Sequence, residues 1–83
     1  GEINTPVEDQ SAMMELIEAT FTGNNDVTTD HMDGLTVDGG QWWFNVRPSN
    51  TEPLLRLNVE AREADTMETL RDEVLALMRG GAT

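Results

Sequence analysis

The stretch LLRLNVEA, residues 54–61, carries the clearest secondary-structure pattern in the chain. Its side chains fall into two alternating sets, one apolar (Leu55, Leu57, Val59, Ala61) and one mostly polar (Leu54, Arg56, Asn58, Glu60). A two-residue period is typical of a β-strand that buries one face, because successive side chains point to opposite sides of a sheet. We therefore predict a strand here, with its polar face directed outward or toward a binding site.

The segment GLTVDGGQWWFNV, which precedes this strand, is typical of a β-hairpin. Its apolar residues alternate on both sides of a turn at Asp38–Gly40, and they are Leu35, Val37, Trp42, Phe44 and Val46. Because Trp42 and Trp43 are adjacent, we expect them on opposite faces of the second strand. A weaker extended pattern over Val27–Met32 brings the expected number of strands to about four.

Two helices are predicted, one before the strands in the sequence and one after them. The first begins after an N-cap at Asp9 and ends at residues 23–25, and its apolar stripe comprises Met13, Leu16, Ile17 and Phe21. The second has Asp65 in the cap position, followed by Glu68 as in a capping box, and ends at Gly80–Gly81. Its apolar stripe comprises Met67, Leu70, Val74, Leu77 and Met78.

This order of elements predicts an α+β domain with an antiparallel sheet of about four strands and both helices packed on one face. The other sheet face would then be open for an interface. Residues 1–8, GEINTPVE, have no convincing period and contain a proline, and we interpret them as a linker or tail from a preceding domain. The predicted domain covers residues 9–83.

Composition limits the classes of function. The chain has 83 residues, enough for one small domain, and its 16 acidic and five basic residues give a formal net charge of −11. A field of this sign disfavours binding to nucleic acid or to anionic membranes. With no cysteine and no apolar run of membrane-spanning length, we expect a cytoplasmic protein. The acidic excess is interpreted as a solvated surface, with a partner-facing acidic patch as the alternative.

The loop RPSNTEP, residues 47–53, has the composition of an anion site. Its two prolines stiffen both ends, which lowers the entropic cost of ordering the loop on binding. Arg47 can grip two phosphate oxygens at once, and backbone N–H groups in a tight turn form an anion-binding concavity. Together with Ser49, Asn50 and Thr51, this arginine suits a single phosphate monoester.

From the residues alone, a purely structural role for the loop is favoured over anion binding. Ser, Asn and Thr also form turns in which their side chains merely satisfy the backbone. Arg47 and Arg56 would then pair with Glu52 and Glu60. If the loop does bind phosphate, we expect Glu52 to orient one of the two arginines from behind.

No catalytic residue and no metal site are predicted in this chain. The one histidine, His31, lies among Asp26, Asp30 and Asp33, but this spacing fits no known ligand pattern, and we interpret the segment as a solvated turn. There is no cysteine nucleophile and no obvious serine–base pair.

The segment VRPSNTEPLLRLNVEA, residues 46–61, closely resembles the phosphate-binding loop and following strand in the last domain of the α-D-phosphohexomutases. Asn50 resembles the phosphomannomutase/phosphoglucomutase branch, since phosphoglucosamine mutases usually carry glycine there. The opening GEIN is also similar to the segment that joins the third domain of those enzymes to the fourth.

This resemblance implies a TATA-binding-protein-like fold and the C-terminal, fourth domain of a bacterial enzyme that interconverts hexose 1-phosphates and 6-phosphates. Family members transfer the phosphoryl group from a phosphoserine in the first domain, with Mg²⁺ held by aspartates of the second. By the same resemblance, Arg47, Ser49, Asn50 and Thr51 would bind the phosphate that does not react. Glu52 and Arg56 match the motif with a less defined, supporting role.

The implied partners are the other three domains of the same chain and a hexose phosphate: mannose or glucose 1- or 6-phosphate, or the bisphosphate intermediate. The serine loop, the magnesium loop and the sugar-recognition loop have no counterpart in this sequence, so we expect the chain alone not to catalyse the reaction. Two alternatives are a phosphoglucosamine mutase domain and a free-standing acidic interaction module whose loop is structural.

Overall fold

The computed structural model describes residues 2–23 and 26–80. Within these ranges the elements, in chain order, are β1 (Glu2–Pro6), α1 (Gln10–Phe21), β2 (Thr28–Asp30), β3 (Leu35–Asp38), β4 (Trp42–Pro48), β5 (Leu54–Ala61) and α2 (Ala64–Met78). The strands form one sheet in the order β1-β5-β4-β3-β2, and every neighbouring pair is antiparallel. The predicted α+β fold is confirmed, with five strands where about four were expected. Neither helix is long and apolar enough to cross a membrane.

The additional strand is β1, which lies in the segment interpreted above as a linker or tail. Glu2–Pro6 pair with residues 54–58 of β5, so the expectation that this segment lacks regular structure is wrong. Only Ile3 and Thr5 of this edge strand face the core, too few to produce a recognisable alternation, and an edge strand tolerates a terminal proline. Gly1 lies outside the described residues, and the division between a linker and a phosphate-binding domain stays a prediction.

The core lies between both helices and one face of the sheet. The strands bury Leu35, Val37, Phe44, Val46, Leu55, Leu57 and Val59, and the helices bury Ile17, Leu70, Val74, Leu75 and Met78. The alternation predicted for β3, β4 and β5 is therefore confirmed. Arg47, Arg56 and the other residues of opposite parity on these strands lie on the face that the helices leave open.

The aromatic residues of β4 illustrate this division. Trp42 stacks on Phe44 with ring centroids 6.2 Å apart, and the ring of Phe21 from α1 meets Phe44 edge-on at 5.0 Å. Trp43, on the open face, is 40% exposed. The prediction that the two tryptophans face opposite sides of the sheet is confirmed.

The apolar stripes of the helices differ from the predicted ones at three positions. Ile17 is fully buried, but Leu16 is 43% exposed, so its assignment to the core is wrong, and Met14 packs against the core instead. In α2, Leu75 is buried in addition to the predicted Leu70, Val74 and Met78, and the predicted Met67 and Leu77 are partly buried against the core. Several helix faces satisfy an i, i+3, i+4 spacing when apolar residues are adjacent, and only packing against the sheet selects one.

The helix ends agree with prediction except at the start of α2. Asp9 caps α1, because its carboxylate accepts a hydrogen bond from the backbone N–H of Ala12 at 3.0 Å. The predicted Asp65 cap is wrong: the N-cap is Glu63, without a side-chain capping bond. Asp65 lies in the first turn, where its negative charge interacts favourably with the helix dipole.

Gly80, at φ 73°, follows the C-cap of α2. Three predicted terminal residues lie outside the described ranges: Asn24, Asn25 and Gly81.

Candidate functional site

Two arginines stand directly opposite each other on the open face of the sheet. Arg47 of β4 pairs in register with Arg56 of β5. Side chains at opposite positions of an antiparallel pair begin about 4.5–5.5 Å apart, and like charges placed there repel each other. In a chain of net charge −11, this arrangement concentrates positive charge at one point. It is a place where an anion would be stabilised.

The loop between β4 and β5 completes a pocket around this point. The pocket has a volume of about 430 Å³ and is lined by Asp33, Gly34, Arg47, Pro48, Ser49, Asn50, Thr51 and Arg56. The structure thus brings together all four residues predicted to bind phosphate, and adds Arg56. Asn50 and Thr51 are exposed, whereas Ser49 is only 8% exposed.

Hydrogen bonds to the loop and to β5 hold Ser49 in its buried position. Its backbone N–H donates to the carbonyl oxygen of Leu54 at 3.1 Å, and its hydroxyl accepts from the backbone N–H of Thr51 at 3.3 Å. The Ser49 and Thr51 hydroxyls lie 3.4 Å apart. Ser49 therefore shapes the turn, as the structural interpretation of the loop expects. Arg47, Arg56, Asn50 and Thr51 also line the pocket, and their side chains carry hydrogen-bond donors.

Gln10 fixes the loop from outside, and the sequence analysis did not identify it. The side-chain amide of this first residue of α1 donates to the carbonyl oxygens of Leu54 at 2.8 Å, Ser49 at 3.1 Å and Glu52 at 3.3 Å. A further bond joins the backbone N–H of Val7 to the carbonyl oxygen of Pro53 at 2.9 Å. No local signal marks Gln10, because its partners lie 39 to 44 residues away.

Asp33 and Gly34 also line the pocket, although the sequence analysis placed Asp33 in a solvated turn. A carboxylate oxygen of Asp33 lies 3.7 Å from a terminal nitrogen of Arg47. The Asp33 carbonyl accepts a hydrogen bond from the side-chain amide of Asn45 at 2.7 Å, which ties this turn to β4. Gly34 has φ 72°, and a Cβ there would collide with Val46 and Arg47 backbone and side-chain atoms. A glycine is therefore required for this close approach.

The glutamates considered as partners of the arginines are placed differently. Over residues 2–23 and 26–80, neither Glu52 nor Glu60 lies within ion-pairing distance of Arg47 or Arg56. Glu52 contributes its backbone instead, since its carbonyl oxygen also accepts from the N–H of Leu54 at 2.8 Å. A supporting role for the Glu52 carboxylate stays a prediction.

His31 and the acidic residues do not form a metal site in the described part of the chain. The Nε2 atom of His31 lies 3.0 Å from the carboxylate of Glu18, and no group of three His, Asp or Glu side chains could hold an ion there. The described residues thus offer no ligand set for Mg²⁺, the metal that the resemblance assigns to another domain of the family's enzymes.

Residues 2–77 match the sequence model of the family "Phosphoglucomutase/phosphomannomutase, C-terminal domain". The chain belongs to this family. It is 48% identical over 81 residues to a "Phosphohexose mutases" protein of Xanthomonas campestris pv. campestris, and the match covers 96% of this chain and 18% of the relative. It is 45% identical over 78 residues to a phosphomannomutase of Methanocaldococcus jannaschii, with 94% and 17% covered. The resemblance seen in residues 46–61 is thereby confirmed at the level of the family.

A third relative carries a different description. The chain is 36% identical over 77 residues to a probable phosphoglucosamine mutase of Methanopyrus kandleri, and this match covers 93% of the chain and 17% of the relative. In all three comparisons the chain spans less than a fifth of the length of the curated relative.

Proposed function

We propose that this chain is the phosphate-binding domain of a phosphohexomutase, and that it holds the phosphate of a hexose phosphate that is not reacting. The parent enzyme would interconvert hexose 1-phosphates and 6-phosphates. The observation that carries the proposal is the cross-strand pair Arg47 and Arg56 at a pocket that Asn50 and Thr51 also line.

The chemistry of the pocket suits a phosphate monoester. At neutral pH such a group carries close to two negative charges and several acceptor oxygens, and two guanidinium groups supply a matching charge and planar pairs of donors. Asn50 and Thr51 offer neutral donors from the exposed side of the loop. The volume, about 430 Å³, falls in the range of roughly 300–1,000 Å³ usual for small-molecule sites.

In the parent enzyme this domain would act by positioning. A phosphate held at a fixed point orients the remainder of the sugar, and orientation lowers the entropic part of the barrier. Phosphoryl transfer, and the Mg²⁺ that serves it, would belong to other domains, and we propose that the present chain alone does not catalyse the reaction. A cytoplasmic location and contact with three further domains stay predictions.

Two alternatives differ in support. The similarity to a probable phosphoglucosamine mutase keeps an amino sugar among the candidate substrates, while Asn50 at the loop favours the phosphomannomutase/phosphoglucomutase branch. Membership in a family of C-terminal domains argues against a free-standing acidic interaction module. The preference for mannose or glucose is not expected to reside in this domain.

An amide NMR titration of the chain tests the proposal. Mannose 1-phosphate and inorganic phosphate should shift the amides of Arg47, Ser49, Asn50, Thr51 and Arg56, and mannose should not. We expect an affinity weaker than micromolar with a strong dependence on salt, because the net charge repels anions until they come within about 8–10 Å of the arginines. Absence of shifts at millimolar phosphate and low salt would favour a structural loop.

The intact parent enzyme provides the second test. Replacing Arg47 with alanine should lower kcat/KM, because an interaction that positions the substrate is lost. An unchanged kcat/KM would contradict the assigned role.

A further inference from the structure

The Asp33 carboxylate occupies the position of a counter-ion within the arginine pocket. It lies 3.7 Å from Arg47 and lines the same pocket as Arg56 and the loop. Over residues 2–23 and 26–80, it is the one carboxylate within ion-pairing distance of either arginine. In the absence of a ligand, this single negative charge partly offsets the repulsion between Arg47 and Arg56.

The backbone, rather than the side chain, fixes Asp33 at this place. The hydrogen bond from Asn45 to the Asp33 carbonyl anchors the turn to β4, and Gly34 packs against Val46 and Arg47 without room for a Cβ. Asp33 therefore stays beside the pocket whether or not its carboxylate is paired. A phosphate that enters the pocket therefore has this residue as a neighbour.

The ion pair itself is weak. Its separation of 3.7 Å is too long for a hydrogen bond, and the side chains of Arg47 and Asp33 are 42% and 80% exposed. Exposed ion pairs contribute little stability because water screens both charges. The carboxylate can consequently turn away into solvent while the sheet and the loop stay unchanged.

We propose that Asp33 is an internal competitor for the phosphate: its carboxylate pairs with Arg47, is displaced by an incoming phosphate, and so lowers the affinity of the pocket for phosphate. This inference rests on the proposed function of the pocket. It adds Asp33 as a residue that limits how tightly the pocket binds phosphate. Weak retention favours release of a substrate that has to leave.

The affinities of three proteins for inorganic phosphate, measured by the same amide titration, test this role. Asp33→Asn should bind phosphate about two- to fivefold more tightly than the unchanged chain, the effect expected from removing one exposed ion pair and the repulsion it brings. Asp72→Asn is the matched control, because Asp72 is also an exposed aspartate paired with an arginine, at 3.3 Å from Arg71 on α2. It changes the net charge equally and should leave the affinity nearly unchanged.

The carboxyl carbon resonances report the displacement directly. Saturating phosphate should move the Cγ signal of Asp33 in the unchanged chain, and the Cγ signal of Asp72 should stay in place. This shift is not expected from a residue that only stabilises its turn.

The possible results separate the inference from the function on which it rests. If phosphate leaves the amides of residues 47–51 unshifted in all three proteins, both the proposed function and the competitor role fail. If phosphate binds, but Asp33→Asn binds it no more tightly than Asp72→Asn, only the competitor role is overturned. Weaker binding by Asp33→Asn would make Asp33 a ligand instead.

Discussion

The side-chain amide of Gln10 donates a hydrogen bond to the carbonyl oxygen of Leu54 at 2.8 Å, and this contact joins the start of α1 to the end of the candidate phosphate loop. The same amide reaches the carbonyl oxygens of Ser49 and Glu52. Helix α1 packs on the covered face of the sheet, and its first residue stabilises the conformation of the loop between β4 and β5. The pocket formed by this loop lies at the open face. The pocket is therefore coupled to the packing of the domain.

Replacing Gln10 with alanine should lower the free energy of unfolding by about 1–2 kcal/mol, because three carbonyl oxygens lose a shared donor. It should also weaken phosphate binding, since the loop must then be ordered on binding. Urea unfolding and the phosphate titration measure the two effects. Gln41→Ala is the control, because this exposed side chain makes one 3.5 Å contact, with Arg62. Equal effects of the two substitutions would show that Gln10 does not brace the loop.

Replacing Arg56 with glutamine should weaken phosphate binding about tenfold or more, because a charge-assisted hydrogen bond is worth about 1.5–3 kcal/mol. Without phosphate the free energy of unfolding should stay constant or rise slightly, since the repulsion from Arg47 is removed. Arg62→Gln makes the same charge change just beyond β5 and outside the pocket. If both variants lose affinity equally, net charge rather than Arg56 determines binding.

Replacing Gly34 with alanine should cost about 2–4 kcal/mol, because a left-handed residue acquires a Cβ where β4 leaves no space. Gly40→Ala isolates the conformational part: Gly40 has φ 91°, but a Cβ would meet nothing within 4 Å, so about 1–2 kcal/mol is expected. Gly23→Ala, with open space and no positive φ, should be nearly neutral. Chemical denaturation of the three variants gives the order, and a neutral Gly34→Ala would contradict the close approach.

Replacing Ile17 with alanine should lower the free energy of unfolding by about 2–5 kcal/mol, the usual cost of truncating a buried aliphatic side chain. Leu16→Ala should cost well under half as much, because Leu16 is 43% exposed while Ile17 is fully buried. Thermal or urea unfolding of the two variants tests which face of α1 packs on the sheet. A larger loss for Leu16→Ala would contradict the burial of Ile17 and the exposure of Leu16.

Local chemistry was sufficient to predict β5, the β3–β4 hairpin and the approximate range of both helices. A half-buried strand shows its period of two in consecutive residues, and the glycines at Asp38–Gly40 mark a turn by their own conformational freedom. The polar character of the loop was visible for the same reason, since Ser49, Asn50 and Thr51 are neighbours between two prolines, and their binding of phosphate stays a prediction.

The sequence by itself therefore determined both helices, the strands β3, β4 and β5 with their apolar faces, and the chemical character of the loop. Only the tertiary structure decided that β1 pairs with β5, that Ile17 rather than Leu16 enters the core, that Gln10 bonds to the loop, and that Asp33 lines the pocket. These features depend on contacts between residues far apart in the chain. No local period or motif records such contacts, because they are formed when the sheet brings strand ends, turns and helix starts to the same edge.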